Sequence, residues 1–368
     1  MINGYCEEKY IPVKKIFKDY FIKQEEIGAS FAIYKEGKPL IDLWGGFKKK
    51  DEEKWEENTI VNVFSATKGI YEIIVSILID QNILDLEKSV SYYWDAFKKN
   101  NKNKIKLKHI LSHQSGLYRF KEKITQRDLL DWNKIISILE NQDPDHNAGE
   151  KTYYHAKTHG FLIGEIIRRT TKKSLGQLLN EIISKKLRLD FYIGIPQNQI
   201  SNIANLYQNT IEKNNSLDFN AFNNPEHDIN FYNTKDWQTA QVPSMNGHGN
   251  ARSIAKIYDV IANDLVLNRK ILLSQKSIEK CLKENSNRID QSLNLPIRWT
   301  DIGLILRGGW LFGKNKGSFG HNGWGGSIGF ADPILRLGIS YVTNKINPTL
   351  MPDTRVSNLL KKFYEIEI

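Results

Sequence analysis

The stretch around residues 62–80 restricts the fold more than any other part of this chain. After Asn62-Val63-Phe64-Ser65 comes Lys68-Gly69-Ile70-Tyr71-Glu72-Ile73-Ile74-Val75-Ser76-Ile77-Leu78-Ile79-Asp80, with apolar residues at 70, 73, 74, 77 and 78, the spacing of a helix. Val75 and Ile79 carry the apolar surface to nearly every side, and a helix that is apolar all round belongs at the centre of a core. The remaining chain must pack around it from several directions. With 368 residues, 40% of them hydrophobic, it has the material to do so, as one large or two interleaved domains.

Ahead of this helix, residues 9–25 show near-helical apolar spacing, and 29–34, 35–38 and 39–46 read as strand, Gly-containing turn and strand. From 85 to about 230 the pattern is helices and loops, with helices expected over 105–111, 129–140, 158–169 and 175–186. Another is expected over 253–266. Strand patterns return at 310–313, 318–330 and 337–344, and a closing helix runs over 354–364. Strands at both chain ends around a helical middle predict an α+β fold. Its antiparallel sheet is built from both termini (1–84 and 235–368), and a mostly helical subdomain is inserted over 85–234.

The net charge of +10 comes from 52 Lys+Arg against 42 Asp+Glu, and the basic residues are interleaved with acids, as in Lys48-Lys49-Lys50-Asp51-Glu52-Glu53-Lys54. That reads as a solvated face, so no nucleic-acid partner is expected. Cys6 and Cys281 stand far apart without zinc-like spacing, so neither a disulfide framework nor a metal site is indicated. Residues 1–24 lack the features of a secretory signal, and no stretch has the roughly 18 apolar residues of a membrane span. The expectation is a cytoplasmic protein without cofactor or metal.

Ser65 and Lys68 stand three residues apart at the start of the apolar helix, on one face and within reach of each other. A serine hydroxyl becomes a nucleophile when a neighbouring base takes its proton, and a lysine does that when burial lowers its proton affinity. The bland alternative is an N-cap serine followed by a surface lysine. A rival signal, Gly325-Gly326-Ser327-Ile328-Gly329, fits the G-x-S-x-G elbow, but a helix should follow it and the sequence here reads as strand and turn. No histidine follows His321 in the chain either. His109 and His113 have ligand-like spacing without the glutamate of H-E-x-x-H, and a turn-stabilising role fits them better. His248, between glycines, could line a pocket or brace a loop.

Ser65-Ala66-Thr67-Lys68, Tyr154-His155-Ala156 and His321-Asn322-Gly323 occur in an order that resembles the serine β-lactamase and penicillin-recognising superfamily. The nearest branch holds the class C β-lactamases, D-alanyl-D-alanine carboxypeptidases and family VIII carboxylesterases. Blocks 111–117, 246–252 and 320–333 extend the likeness over roughly residues 28–345. The resemblance implies a β-lactamase/transpeptidase-like fold, with Ser65 as nucleophile and Lys68 and Tyr154 as its base system. A cationic field on Tyr154 would come from Lys68 and His321. The backbone N–H groups of Ser65 and Trp324 would form an oxyanion hole. Tyr153 is an alternative to Tyr154, and Trp324-Gly325-Gly326 an alternative to the triplet His321-Asn322-Gly323.

Two places depart from the β-lactamase pattern. Ala156 stands where an asparagine recognises the acylamide side chain, and His321 where a lysine binds the substrate carboxylate. Both changes favour small neutral esters over carboxylated amides. The expectation is a carboxylesterase forming an acyl-enzyme. The alternatives are a β-lactamase or D-amino-acid peptidase, or a non-catalytic scaffold of the same fold.

Overall fold

A hairpin from the beginning of the chain and a meander from its end meet in the middle of one sheet. The computed structural model describes residues 2–208, 219–263, 266–267, 270–271, 273–307, 311–347 and 353–368. Along the chain run β1 (Ile2–Cys6), α1 (Ile11–Ile22), β2 (Gly28–Lys35), β3 (Lys38–Lys49), β4 (Val61–Asn62), α2 (Ala66–Asp80), α3 (Leu107–Leu111), α4 (Trp132–Asn141), α5 (Thr158–Thr171) and α6 (Leu175–Leu179). There follow β5 (Phe191–Ile193), β6 (Gly247–Gly249), α7 (Ala251–Ala262), β7 (Glu284–Asp290), β8 (Leu295–Thr300), β9 (Ile305–Leu306), β10 (Phe319–Asn322), β11 (Ile328–Asp332), β12 (Leu337–Thr343) and α8 (Thr354–Glu367).

The main sheet has the order β1-β3-β2-β12-β11-β10-β9-β8-β7, with the short strand Glu53–Lys54 beside β3, and its neighbours are antiparallel. The two chain ends join where β2 pairs with β12, Ala32 opposite Ser340 and Ile33 opposite Ile339. One face is covered by α1 and α8, whose Phe17, Tyr20, Leu359 and Phe363 share a core with Phe31, Ile41, Ile339 and Tyr341. The other face carries α7 and α2. Gly338 lets α7 lie flat on β12, since a Cβ there would stand 2.0 Å from the Ala255 carbonyl oxygen.

Every residue of α2 from Ala66 to Ile79 is buried, as its all-round apolar pattern requires. It packs on β10, β11 and Tyr258 of α7, and against His159 of α5 and against α6. A small sheet, β4-β6-β5, ties the middle of the chain to the segment leading into α2.

Several boundaries differ from expectation. The expected helix over 253–266 is α7, which starts earlier at its Asn250 cap and stops at Ala262, and Val266 belongs to a short strand. The stretch 318–330 is two strands, parted by a turn in which Gly325 and Gly326 adopt φ of +90° and +115°. Leu311 to Gly313 form a turn rather than a strand, and Trp310 lies outside the described residues. β7 and β8 carry no expected strand signal, because the inward residues of β7 are Ser286 and Asp290, polar side chains that break the apolar alternation.

Candidate active site

Ser65 opens α2, and the residue before it is strained. Phe64 has φ +46°, a left-handed conformation that bulky residues rarely adopt. Its ring is held edge-on between Tyr232 (5.3 Å) and Trp324 (5.1 Å). The Thr67 hydroxyl donates to the Phe64 carbonyl (2.5 Å) and accepts from Gly247 N–H (3.0 Å), pinning the first turn of α2 to β6.

Lys68 is fully buried, and its Nζ lies 3.0 Å from Ser65 Oγ, 2.9 Å from the Ala156 carbonyl and 3.0 Å from the Ser244 carbonyl. Carbonyl oxygens only accept hydrogen bonds, so a neutral amine commits both its hydrogens to Ala156 and Ser244 and turns its lone pair to the Ser65 hydroxyl. Burial drives the Lys68 pKa down to about 7, against a smaller opposing pull from Glu72. Near neutral pH about half of the amine is therefore free to accept a proton. This geometry allows Lys68 to take the proton of the Ser65 hydroxyl, and the burial of Lys68 excludes the capped-serine, surface-lysine alternative.

Tyr154 lies beside this pair, with its ring centroid 4.9 Å from Lys68 Nζ. The ring stacks nearly parallel on Trp299 (5.9 Å, 4°) and on Phe222 (6.2 Å), and its backbone N–H donates to Asp290 Oδ1 (3.1 Å). Burial raises its pKa, and a hydrogen bond with Ser65 partly offsets that. Tyr153 points the other way, stacked on Tyr118 (4.3 Å) and His146 (5.5 Å). Of the two tyrosines, Tyr154 is the one brought to Lys68. Ala156 contributes through its backbone carbonyl rather than its side chain.

The turn after β10 closes the site. A Cβ on Gly323 would stand 2.1 Å from the Val63 carbonyl oxygen and 3.3 Å from Ala66 N, so only glycine allows this turn to touch the start of α2. Asn322 ends β10 opposite Ile328. The backbone N–H groups of Ser65 and Trp324 have no backbone hydrogen-bond acceptor among the described residues, leaving both available to a substrate oxygen. Trp324 stands in the turn while His321 and Asn322 stand on the strand.

His321 does not supply the expected cation. Its Nδ1 donates to the Asn322 carbonyl (2.7 Å), and burial, aided by Lys68, lowers its pKa to about 3. The ring is neutral, and its Nε2 presents an unpartnered lone pair.

The remaining histidines and Ser327 divide into braces and neighbours. His109 accepts from Lys106 N–H (3.1 Å) and braces the start of α3, whereas His248 is buried and bonded to the Asn246 carbonyl (2.8 Å). Ser327 precedes a strand, not a helix, so the elbow geometry is absent. The sequence reading missed Ser244, Glu72 and a packed group of imidazoles beneath Tyr154, with His113 4.6 Å from His159 and 5.3 Å from His155. Ser244 acts through a main-chain oxygen, which no side-chain pattern reveals.

A model of the beta-lactamase family matches residues 13–360. The chain belongs to the beta-lactamase family. It is 28% identical over 372 residues to the esterase/beta-lactamase LipL of Mycobacterium tuberculosis, covering 96% of this chain and 85% of LipL. Among solved structures, this family member matches a family VIII carboxylesterase with TM-score 0.93 and 34% identity, over all of both chains. It also matches a penicillin-binding protein homologue from Caulobacter crescentus with TM-score 0.92 and 29% identity, again over all of both chains. The α+β architecture is the β-lactamase/transpeptidase-like fold.

Proposed function

We propose that this serine hydrolase of the beta-lactamase family is a carboxylesterase acting on small esters through an acyl-enzyme. The observation that carries the reading is the Lys68 amine, held by two carbonyls with its remaining lone pair on Ser65. Ser65 Oγ attacks the ester carbonyl carbon as its proton passes to Lys68 Nζ, and the negative oxygen is held by the Ser65 and Trp324 N–H groups. Tyr154, beside Lys68 and hydrogen-bonded with Ser65, passes that proton to the departing alkoxide as the C–O bond breaks. Water, deprotonated through the same pair, then attacks the acyl carbon; the bond to Ser65 Oγ breaks, the proton returns to that oxygen, and the acid is released.

Ser65, Lys68, His321 and Trp324 come from the sheet part (1–84 and 235–368), and Tyr154 and Ala156 from the helical part (85–234). In this reading the substrate binds in the cleft between them. The uncharged His321 and the small Ala156 favour neutral esters over carboxylated amides, in line with the likeness to a family VIII carboxylesterase. Among the described residues no helix is long and apolar enough to cross a membrane, and Cys6 and Cys281 are both unpaired. A cytoplasmic setting is part of the same proposal. Turnover of p-nitrophenyl acetate or butyrate beside nitrocefin tests the substrate class. Faster nitrocefin hydrolysis would move the assignment to β-lactams.

A further inference from the structure

Glu72 lies one helical turn beyond Lys68 on α2 and is fully buried. Neither of its carboxyl oxygens has a hydrogen-bond partner among the described residues. The loop after β8 closes on it at Gly303, where a Cβ would stand 2.8 Å from Glu72 Oε1 and 2.4 Å from the Leu111 carbonyl oxygen. An unbonded carboxyl in a packed core is costly, and an apolar side chain of the same length would suit the site better if packing were its only role. What singles the position out is the amine at i−4.

We propose that Glu72 is a positioning residue for Lys68, a buried carboxyl one helical turn away whose charge sets how readily Lys68 accepts the proton leaving Ser65. The inference rests on the reading of Lys68 as the base of Ser65.

The imidazoles and phenols around the pair are held in their neutral forms. Lys68 and Glu72 are faced by Tyr71 on α2, Tyr258 on α7, His113 at the end of α3, Tyr154 and His155 ahead of α5, His159 on α5 and His321 on β10. Burial holds His155 and His321 at about 3 and His113 and His159 well below their ordinary value, and it raises all three tyrosines. Asp290, behind Tyr154, is raised by burial to about 6, but it bonds the Tyr154 backbone and is common to the parent and to any Glu72 variant. Burial likewise raises the proton affinity of Glu72, and Lys68 opposes that. In a low-dielectric core the two net-neutral forms, amine with carboxylic acid and ammonium with carboxylate, are favoured over either lone ion.

The sign of the effect is fixed, because an ionised Glu72 raises the affinity of Lys68 for protons and removing it lowers that affinity. Glu72→Gln keeps the shape, and Glu72→Met keeps the length while discarding the unbonded oxygens, so it folds even where the amide does not. In both variants the acid limb of kcat/KM against pH on p-nitrophenyl butyrate is expected to move to lower pH by about one unit or more. That is a cautious bound for unit charges on side chains one helical turn apart at an effective dielectric near 20. At pH 6 the variants then show about fivefold more of their plateau rate than the parent does. Acid limbs that coincide with the parent's, in variants that melt cooperatively, would overturn the proposal and leave Glu72 a structural residue. Fluorophosphonate labelling with mass mapping runs alongside. Absence of an adduct on Ser65 in the parent would remove the base reading and the proposal with it, whereas an adduct with unmoved limbs refutes the role of Glu72 alone.

Discussion

Lys68→Arg is the substitution that most sharply separates a base from a cationic anchor. The guanidinium can still donate to the Ala156 and Ser244 carbonyls, which the ammonium meets at 2.9 and 3.0 Å, but it has no lone pair to offer Ser65 and stays protonated. If Lys68 only anchored the loops or stabilised negative charge, arginine would preserve much of the activity. If it accepts the serine proton, a general base is lost, worth about 10²- to 10⁴-fold in rate, or about 3–5 kcal/mol of transition-state stabilisation. Lys68→Met serves as the control, since it removes base and donors together and leaves two buried carbonyls unpaired at about 1–3 kcal/mol each. The assay is kcat/KM on p-nitrophenyl butyrate from pH 6 to 9, with melting curves at each pH. We expect the parent to show an acid limb near 7, where burial holds Lys68, and both variants to lose at least a hundredfold in activity together with that limb. A Lys68→Arg protein that keeps more than about a tenth of parent activity, or that keeps the limb, would refute the base assignment.

The same lysine predicts a pH-dependent stability. Its folded proton affinity lies below that of the unfolded chain, so between about pH 7 and 10 the unfolded state binds more protons and folding strengthens as pH rises. Urea unfolding should therefore show the parent gaining on Lys68→Met from pH 7 to 10, by up to about 4 kcal/mol; a constant difference would mean that Lys68 is not buried as a neutral amine. Tyr154→Phe should lower kcat by about 10²- to 10⁴-fold with little change in melting, because the ring stacking and the N–H to Asp290 do not need the hydroxyl. Gly323→Ala drives a methyl group against the Val63 carbonyl and should cost about 10²-fold or more by displacing the Trp324 N–H from the start of α2, read as a fall in kcat. His321→Gln should leave the acid limb where it is, since the imidazole carries no charge to lose; a limb that moves would show that His321 titrates.

What the sequence disclosed followed the physics of side chains. The burial of α2 was legible because an apolar helix has no face to give to water, and the hairpin β2–β3 because alternation and a glycine turn mark it. β7 was illegible because Ser286 and Asp290 point inward, and Asp290 is buried to hold the Tyr154 loop rather than to fill a core. At the site, the spacing of Ser65 and Lys68 was visible, but the feature that orients the lysine toward Ser65 was not. That feature is a pair of carbonyl oxygens from Ala156 and Ser244, both main-chain atoms and both distant in sequence. The choice between Tyr153 and Tyr154 needed the backbone, which turns one ring to Tyr118 and the other to Lys68. His321 was visible as a strand residue beside a glycine turn, yet its charge depends on burial and on Lys68, which only the folded arrangement determines.

The central claim is that Ser65 is the nucleophile and Lys68 its base, and one measurement addresses both parts. Purified protein is labelled with a fluorophosphonate across pH 6 to 9, the adduct is located by mass spectrometry, and the labelling rate is followed with pH. The account predicts one adduct, on Ser65, with a labelling rate that rises through a midpoint near 7 and falls to background in Lys68→Arg. An adduct on Ser327, or a well-folded protein that takes no label at any pH, would contradict it.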